Sequence, residues 1–306
     1  MIMRYKHLSQ HPKVFAKVTG LSVSDFDTLV DDLLARYAAA EDQRLQRPNR
    51  QRDIGAGRKF ELDARDQLLL VVVWLRIYPT GDVLGYLFRV SAPTVSRIQA
   101  RVLPLLEEAG RDTMRLPDPG RKRRRQWSEL LHLIPELTVV VDTFEQAVQR
   151  PQASEDANAY YSGKKKTHTL KSQVAVDAHT GYICAIADSV RGPTADIKVL
   201  EDSGLLKTLP DEVGVAGDLA YIKLRKLRAN GYAPYRKPRG KPRPVADVIF
   251  NRVFSHFRII VEHAIGRMRR FQALSQRDRH HRRVHTARTC AVAGLVNRRL
   301  LARGVV

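Results

Sequence analysis

The sequence predicts an α/β protein, a mixed sheet with flanking helices, preceded by an all-α domain that carries a helix-turn-helix. Three observations lead there. Apolar residues recur at helical spacing up to about residue 106, and beyond residue 135 short β-branched runs take over. Between the two regimes the stretch "PDPGRKRRRQW", bordered by Pro and Gly, carries five consecutive basic residues at 121–125, and like charges in a row resist packing. The domains follow these breaks: a helical segment and basic loop at 1–56, the helix-turn-helix at 57–110, a basic linker at 111–135, the sheet domain at 136–275 and a basic helical tail at 276–306.

Residues 21–45 place Phe26, Leu29, Val30, Leu33, Leu34 and Tyr37 at helical spacing, with Ser24 as N-cap. The Arg- and Gly-rich stretch that follows reads as a basic loop. From 61 to 106 the pattern is three helices, the first over about 63–77 and the second over about 82–88. Ser91 then caps a third, with Pro93 in the first turn, where a missing N–H costs nothing. A short helix, a tight turn and a capped helix make a helix-turn-helix. In the third helix Val95, Ile98 and Val102 share one face, leaving Thr94, Arg97 and Arg101 to face outward, placed to enter a major groove. A plain three-helix bundle has the same pattern, and the charge of the chain tips the reading toward DNA.

That charge is large. Lys and Arg number 53 against 32 Asp and Glu, a formal net charge of +21, so polyanions are the natural partners. Arg dominates the clusters, and its planar fork suits phosphate and base edges. A membrane fits poorly: the longest apolar run, residues 68–75, is far shorter than the roughly 20 residues that span a bilayer, and the first ten residues do not resemble a signal peptide. Cys184 and Cys290 are too few for a disulfide framework and are expected as thiols in a reducing cytoplasm.

In the second half, Val139, Val140 and Val141 form a run stiff enough for a strand buried on both faces, yet it stops at Asp142. "KSQVAVD" and "YICAIADS", joined by "AHTG", read as a hairpin. A helix beginning near "GPTADIKVLEDSG" leads to "EVGVAGD", a second apolar strand ending on an aspartate, Asp218. After the basic loop "YRKPRGKPRP" comes a long helix over about 245–271, with an apolar stripe of Phe250, Val253, Phe254, Phe257, Val261, Ala264, Met268 and Phe271. Glu262 lies off the middle of that stripe, with Arg258 one turn before it and Gly266, which leaves room for a ligand, one turn after.

A right-handed crossover sets the two Asp-ending strands adjacent and parallel, and the later helix delivers Glu262 as a third carboxylate. Converging carboxylates need a positive partner, and oxygen-only ligands suit Mg²⁺ or Mn²⁺. A pair of such ions can activate the attacking oxygen and stabilise the leaving oxygen in an in-line displacement at phosphorus. Singly, each acid reads as a turn former, a cap or a solvated charge; the combination in a very basic chain is what points to chemistry.

The motifs "VVVDTFEQAVQRPQ", "YYSGKKKTHTLKSQVAVD", "RGPTADIKVLEDSGLL", "GDLAY" and "FNRVFSHFRIIVEHAIGRMRRF" together resemble the DDE transposases of bacterial insertion sequences related to the Harbinger elements. "GRKFELDARDQLLLVVVWLRIYPTGDVLGYLFRVSAPTVSRI" resembles the helix-turn-helix that precedes their catalytic domain, and the likeness covers about residues 57–275. It implies an RNase H-like domain with a mixed five-stranded sheet, in which Asp142, Asp218 and Glu262 are the metal-binding catalytic triad. It also implies cleavage at transposon ends, followed by transfer of the freed 3′ end into target DNA. Lys164, Lys165, Lys166 and His168 match the family's basic segment and are expected on phosphates, as are Arg258 and Arg269. Asp196 matches a family motif outside the triad and reads first as an acid near a helix N-terminus. The chain departs from the family pattern at Thr143 and Phe144 after the first aspartate, where Glu145 adds a carboxylate, and at Leu219 and Ala220 after the second. Transposition implies a dimer or larger assembly on inverted-repeat and target DNA, in the bacterial cytoplasm at the nucleoid. The alternative is an inactive, transposase-derived DNA-binding protein, which the intact triad argues against. The tail residues His280, His281, His285 and Cys290 are poorly spaced for zinc and read as part of a basic helix on phosphate.

Overall fold

The computed structural model describes residues 3–46, 60–117 and 138–304. The basic run at 121–125 and the expected loop at 47–59 lie outside them. Helices α1 (Tyr5–Leu8), α2 (Pro12–Thr19) and α3 (Val23–Leu45) come first. The cap of α3 is Ser22 rather than Ser24. Ser22 Oγ accepts the Asp25 N–H at 3.0 Å while the Asp25 carboxylate accepts the Ser22 N–H at 3.3 Å, which satisfies two donors that the helix leaves unpaired. In α4 (Ala64–Ile77), capped by Asp63, every residue from Gln67 to Leu75 is buried, so the helix runs through the centre of the helical domain. The helix-turn-helix is α5 (Gly81–Phe88), capped by Thr80, and α6 (Ala92–Thr113), capped by Ser91 as the sequence predicts.

The sheet domain runs β1 (Thr138–Ala147), α7 (Ser154–Tyr160), β2 (Tyr161–Ser162), β3 (Thr167–Asp177), β4 (Ile183–Ile186), β5 (Val190–Arg191), α8 (Asp196–Asp202), α9 (Leu205–Thr208), β6 (Gly214–Gly217), α10 (Leu224–Leu227), β7 (Gly231–Tyr232) and α11 (Val245–Arg269). Strands lie in the order β2-β3-β1-β6-β7, with β4 and β5 also paired to β3. Among the described residues this makes seven strands where five are expected. The reason is length: β3 has 11 residues and outreaches the four of β4, so the two-residue β2 and β5 pair with its remaining stretches. Pairing is antiparallel from β1 to β3 and parallel from β1 to β6 and from β6 to β7, a mixed sheet. The β3–β4 turn is the predicted hairpin: the Asp177 carboxylate accepts the N–H groups of His179 and Thr180, and Gly181 takes a left-handed φ of 68°.

Alternation along the strands decides what each face meets. Val140 and Phe144 of β1, with Val174 and Val176 of β3, pack with Phe254, Val261, Ala264 and Met268 of α11 in a core that continues through the helical domain. Val139, Val141 and Ala175 face the other way, toward Ile197, Leu200, Leu205 and Tyr221.

The final helix, α12 (His285–Leu301), departs from the basic helix on phosphate that the sequence suggests, because most of it, His285 and Arg288 included, is buried. It packs lengthwise on α6, and Gly110 and Gly294 bring the two backbones so close that a Cβ on either would run into the other helix. That contact also carries α6 past the domain boundary expected at residue 110, through Pro104, to Thr113. Arg288 is wholly buried and paired with Asp278 through both terminal guanidinium nitrogens, while Asp278 also accepts from Tyr78, the residue that caps the end of α4. His285 sits between Ser189 and Gln146 of β1, and burial beside Arg288 lowers it to about 4. These side chains join helical domain, sheet and C-terminal helix. They do not face phosphate. Among the described residues no helix is long and apolar enough to cross a membrane.

Candidate active site

The valine run does not end at Asp142: β1 continues to Ala147, because β3 pairs with it along its whole length. What stops there is the other partner. Pairing with β6 runs from Thr138 opposite Gly214 to Val141 opposite Gly217, so the parallel edge opens at the next residue of each strand. Those residues are Asp142 and Asp218. By alternation Asp142 shares the face of Val140 and Phe144, toward α11. Asp218 turns the chain as well, its Oδ1 accepting the Ala220 N–H at 2.9 Å to cap a single 3₁₀ turn over Leu219–Tyr221. That turn lays the Tyr221 ring in the space where Gly217 has no side chain.

Burial and the nearby charges of Asp218 and Asp196 push the Asp142 carboxyl up to about 6, against the N–H of Thr143 at 2.7 Å and the Arg258 guanidinium, which favour its ionised form. Tyr221, buried beside the same three aspartates, is raised as well, so its phenol stays protonated. Burial and the neighbouring carboxylates together oppose ionisation of Asp142 here.

Glu262 lies on α11, and its carboxylate accepts from Arg258 one turn earlier at 3.1 Å, with both side chains about half exposed (53% and 52%). Among the described residues no group of three or more His, Cys, Asp or Glu side chains meets at metal-holding distance. The fold thus brings Asp142 and Asp218 together and leaves Glu262 in an ion pair. That pair is weak: a solvent-exposed i, i+4 bridge contributes about 0.5 kcal/mol, so little holds Glu262 back from a better partner.

On the far face of β1, Thr143 Oγ1 donates to Asp196 Oδ1 at 2.9 Å, and Lys171 Nζ reaches the same oxygen at 2.6 Å and the Thr194 carbonyl at 2.6 Å. Sequence reading places Asp196 at a helix N-terminus, where it does stand as the first residue of α8, but misses its partner. A signal for Lys171 exists, since it is a charge inside the apolar alternation of "THTLKSQVAVD".

The expected DNA contacts divide. Lys164, Lys165 and Lys166 are exposed on the tight turn between β2 and β3, and His168 stands half-buried, edge-on to the Tyr161 ring at 5.6 Å. Arg269 is exposed at the end of α11 and Arg97 on α6, while Thr94 is half-buried and shares a hydrogen bond with its own cap, Ser91, at 2.9 Å. Arg101 is a correction. Its side chain is 14% exposed, paired with Glu41 at 2.9 Å, bonded to Gln67 at 2.9 Å and stacked over the Phe60 ring, so it braces α6 against α3 and α4 instead of facing a groove. His280 and His285 are held neutral by burial and Arg288, each lowered to about 4.

Comparison with known proteins bears on both halves. Residues 141–297 match the family described as DDE superfamily endonuclease, and residues 60–112 match the helix-turn-helix of DDE superfamily endonuclease. The chain is also 27% identical, over 284 residues, to a probable transposase for insertion sequence element IS702 from Microchaete diplosiphon, with 92% of this chain and 93% of that protein covered.

Proposed function

The chain belongs to the DDE superfamily endonucleases, and on that premise we propose that it is the transposase of a bacterial insertion sequence. It binds the terminal inverted repeats of its element, cuts the DNA there and joins the freed ends to target DNA. The observation that carries this reading is the register of β1 and β6, which opens the parallel edge of the sheet at Asp142 and Asp218. End-to-end similarity to a probable insertion-sequence transposase supports it.

In this reading Asp142, Asp218 and Glu262 are the catalytic and metal-holding residues. Their fit to a divalent cation rests on an all-oxygen donor set and on the burial and neighbouring aspartates that raise Asp142, which a cation there would offset. When bound there, Mg²⁺ or Mn²⁺, two ions in our reading, supplies charge stabilisation for the attacking and leaving oxygens at phosphorus. Glu262 leaves Arg258 to join the aspartates, and Arg258 is thereby released toward the DNA backbone. Thr94 and Arg97 read the repeat; Lys164, Lys165, Lys166, His168 and Arg269 hold phosphates near the cut. The helix-turn-helix of α5 and α6 and the sheet divide recognition from chemistry. Pairing of two ends requires at least a dimer on DNA, at work in the bacterial cytoplasm on the nucleoid.

The pairing of Glu262 with Arg258 favours one second reading, a DNA-binding derivative without chemistry. A supercoiled plasmid carrying the gene's own flanking DNA, incubated with the protein and Mg²⁺ or Mn²⁺, separates the two. The expected outcome is metal-dependent breaks at the element's ends, abolished by Asp142→Ala. Tight binding with no break in either metal would establish the second reading.

A further inference from the structure

Lys171 is a charge that stability alone does not explain. Its side chain is 8% exposed and its partner Asp196 18% exposed, and replacing a buried ion pair with apolar side chains of similar volume is often neutral or stabilising. Its setting is specific. Both Lys171 Nζ and Thr143 Oγ1 donate to Asp196 Oδ1, and Thr143 is the residue after Asp142 on β1, pointing to the opposite face. The pair is therefore tied through one strand residue to the aspartate that opens the site.

We propose that Lys171 and Asp196 are a positioning pair that sets the charge of the Asp142 and Asp218 site, and through it the affinity of that site for a divalent cation. The proposal rests on the reading of Asp142 and Asp218 as metal holders. Asp196 forms the near end of the pair, its charge felt at both Asp142 and Tyr221, while Lys171 forms the far end and cancels part of it. One further charge stands on this face: Glu145, opposite Lys171 in register, accepts from Thr169 Oγ1 at 2.7 Å and is the same in every variant compared, whereas Gln173 and Tyr221 are neutral. Asp196 unbalanced by Lys171 would draw cations more strongly. Lys171 unbalanced by Asp196 would repel them.

The test uses the full-length protein titrated with Mn²⁺ alone, free Mn²⁺ being read by electron paramagnetic resonance. Asp196→Asn is expected to weaken binding on the order of tenfold, Lys171→Met to tighten it several-fold, and the double variant to fall between, since a unit charge several ångströms away in a partly buried site acts with about that strength. The double variant carries no unpaired buried charge, so it keeps the comparison valid if Asp196→Asn alone folds poorly, and the sign of the Lys171→Met shift is a separate check. Asp142→Ala serves as the control and is expected to lose binding. Mn²⁺ binding that needs Asp142 but is unchanged in both single variants, or shifted the same way in both, would overturn the charge-setting role and leave the site intact. Absent binding, or binding indifferent to Asp142→Ala, would overturn the reading of the site and this inference with it.

Discussion

At Asp142 a proton is held more tightly in the folded chain than a free aspartate holds it, because burial and the charges of Asp218 and Asp196 oppose ionisation. A carboxyl raised to about 6 binds more protons folded than unfolded between roughly pH 4 and 6, so its contribution to stability is complete below pH 4 and is lost as pH rises through 6. Asp142→Asn in metal-free protein is accordingly expected to be more stable than the parent at pH 7 by about 3 kcal/mol, and equally stable near pH 4. Urea unfolding at the two pH values checks this, and equal stability at pH 7 would refute it. Arg97 and Arg101 supply a second residue-level contrast. Helical spacing assigns both to the outer face of one helix, and only the return of α3 with Glu41 takes Arg101 out of that face. Arg97→Ala should weaken repeat binding by about 1–3 kcal/mol and relax its sequence discrimination with the salt slope nearly unchanged, and stability should change by less than about 0.5 kcal/mol. Arg101→Ala should cost about 1–3 kcal/mol of stability, since it leaves the largely buried Glu41 without this partner. Salt-dependent binding assays and melting curves on the two variants distinguish these outcomes.

The elements were legible wherever a local rule governs them. Asp63 and Ser91 cap helices because their side chains reach N–H groups three residues on; the long helix follows its stripe of aromatic residues; and the "AHTG" turn needs only Asp177 and Gly181. Legibility failed at α12 and at the far end of α6. Their contact depends on two glycines 184 positions apart (294 − 110), and neither has a local signal that names the other. Gly294→Ala is expected to force the helices apart against backbone and to cost more than about 2 kcal/mol, well beyond the helix propensity that alanine gains. Thermal unfolding of that variant is the check, and an unchanged midpoint would show that the crossing is looser than described.

Over the whole molecule the helix-turn-helix and the sheet share one core, so they unfold together. Tyr78 at the end of α4, Asp278 and the buried Arg288 form the polar part of that junction. Arg288→Ala leaves a buried carboxylate unpaired and is expected to lower stability by about 3–5 kcal/mol, still in a single transition seen alike by far-ultraviolet circular dichroism and by fluorescence. Two separate transitions would mean that the domains stand alone. From composition and spacing came what depends on neighbours along the chain or on sums over it: the class of fold, the helix-turn-helix, a surface suited to polyanions, and Asp142 and Asp218 at the ends of apolar runs. Folding decided what depends on residues distant in sequence. It ended the β6 pairing at Asp142, placed Lys171 on Asp196, drew Arg101 and Arg288 inward, and left Glu262 with Arg258. Periodicity specifies the direction in which a side chain points, whereas burial and charge pairing depend on which other segment packs there.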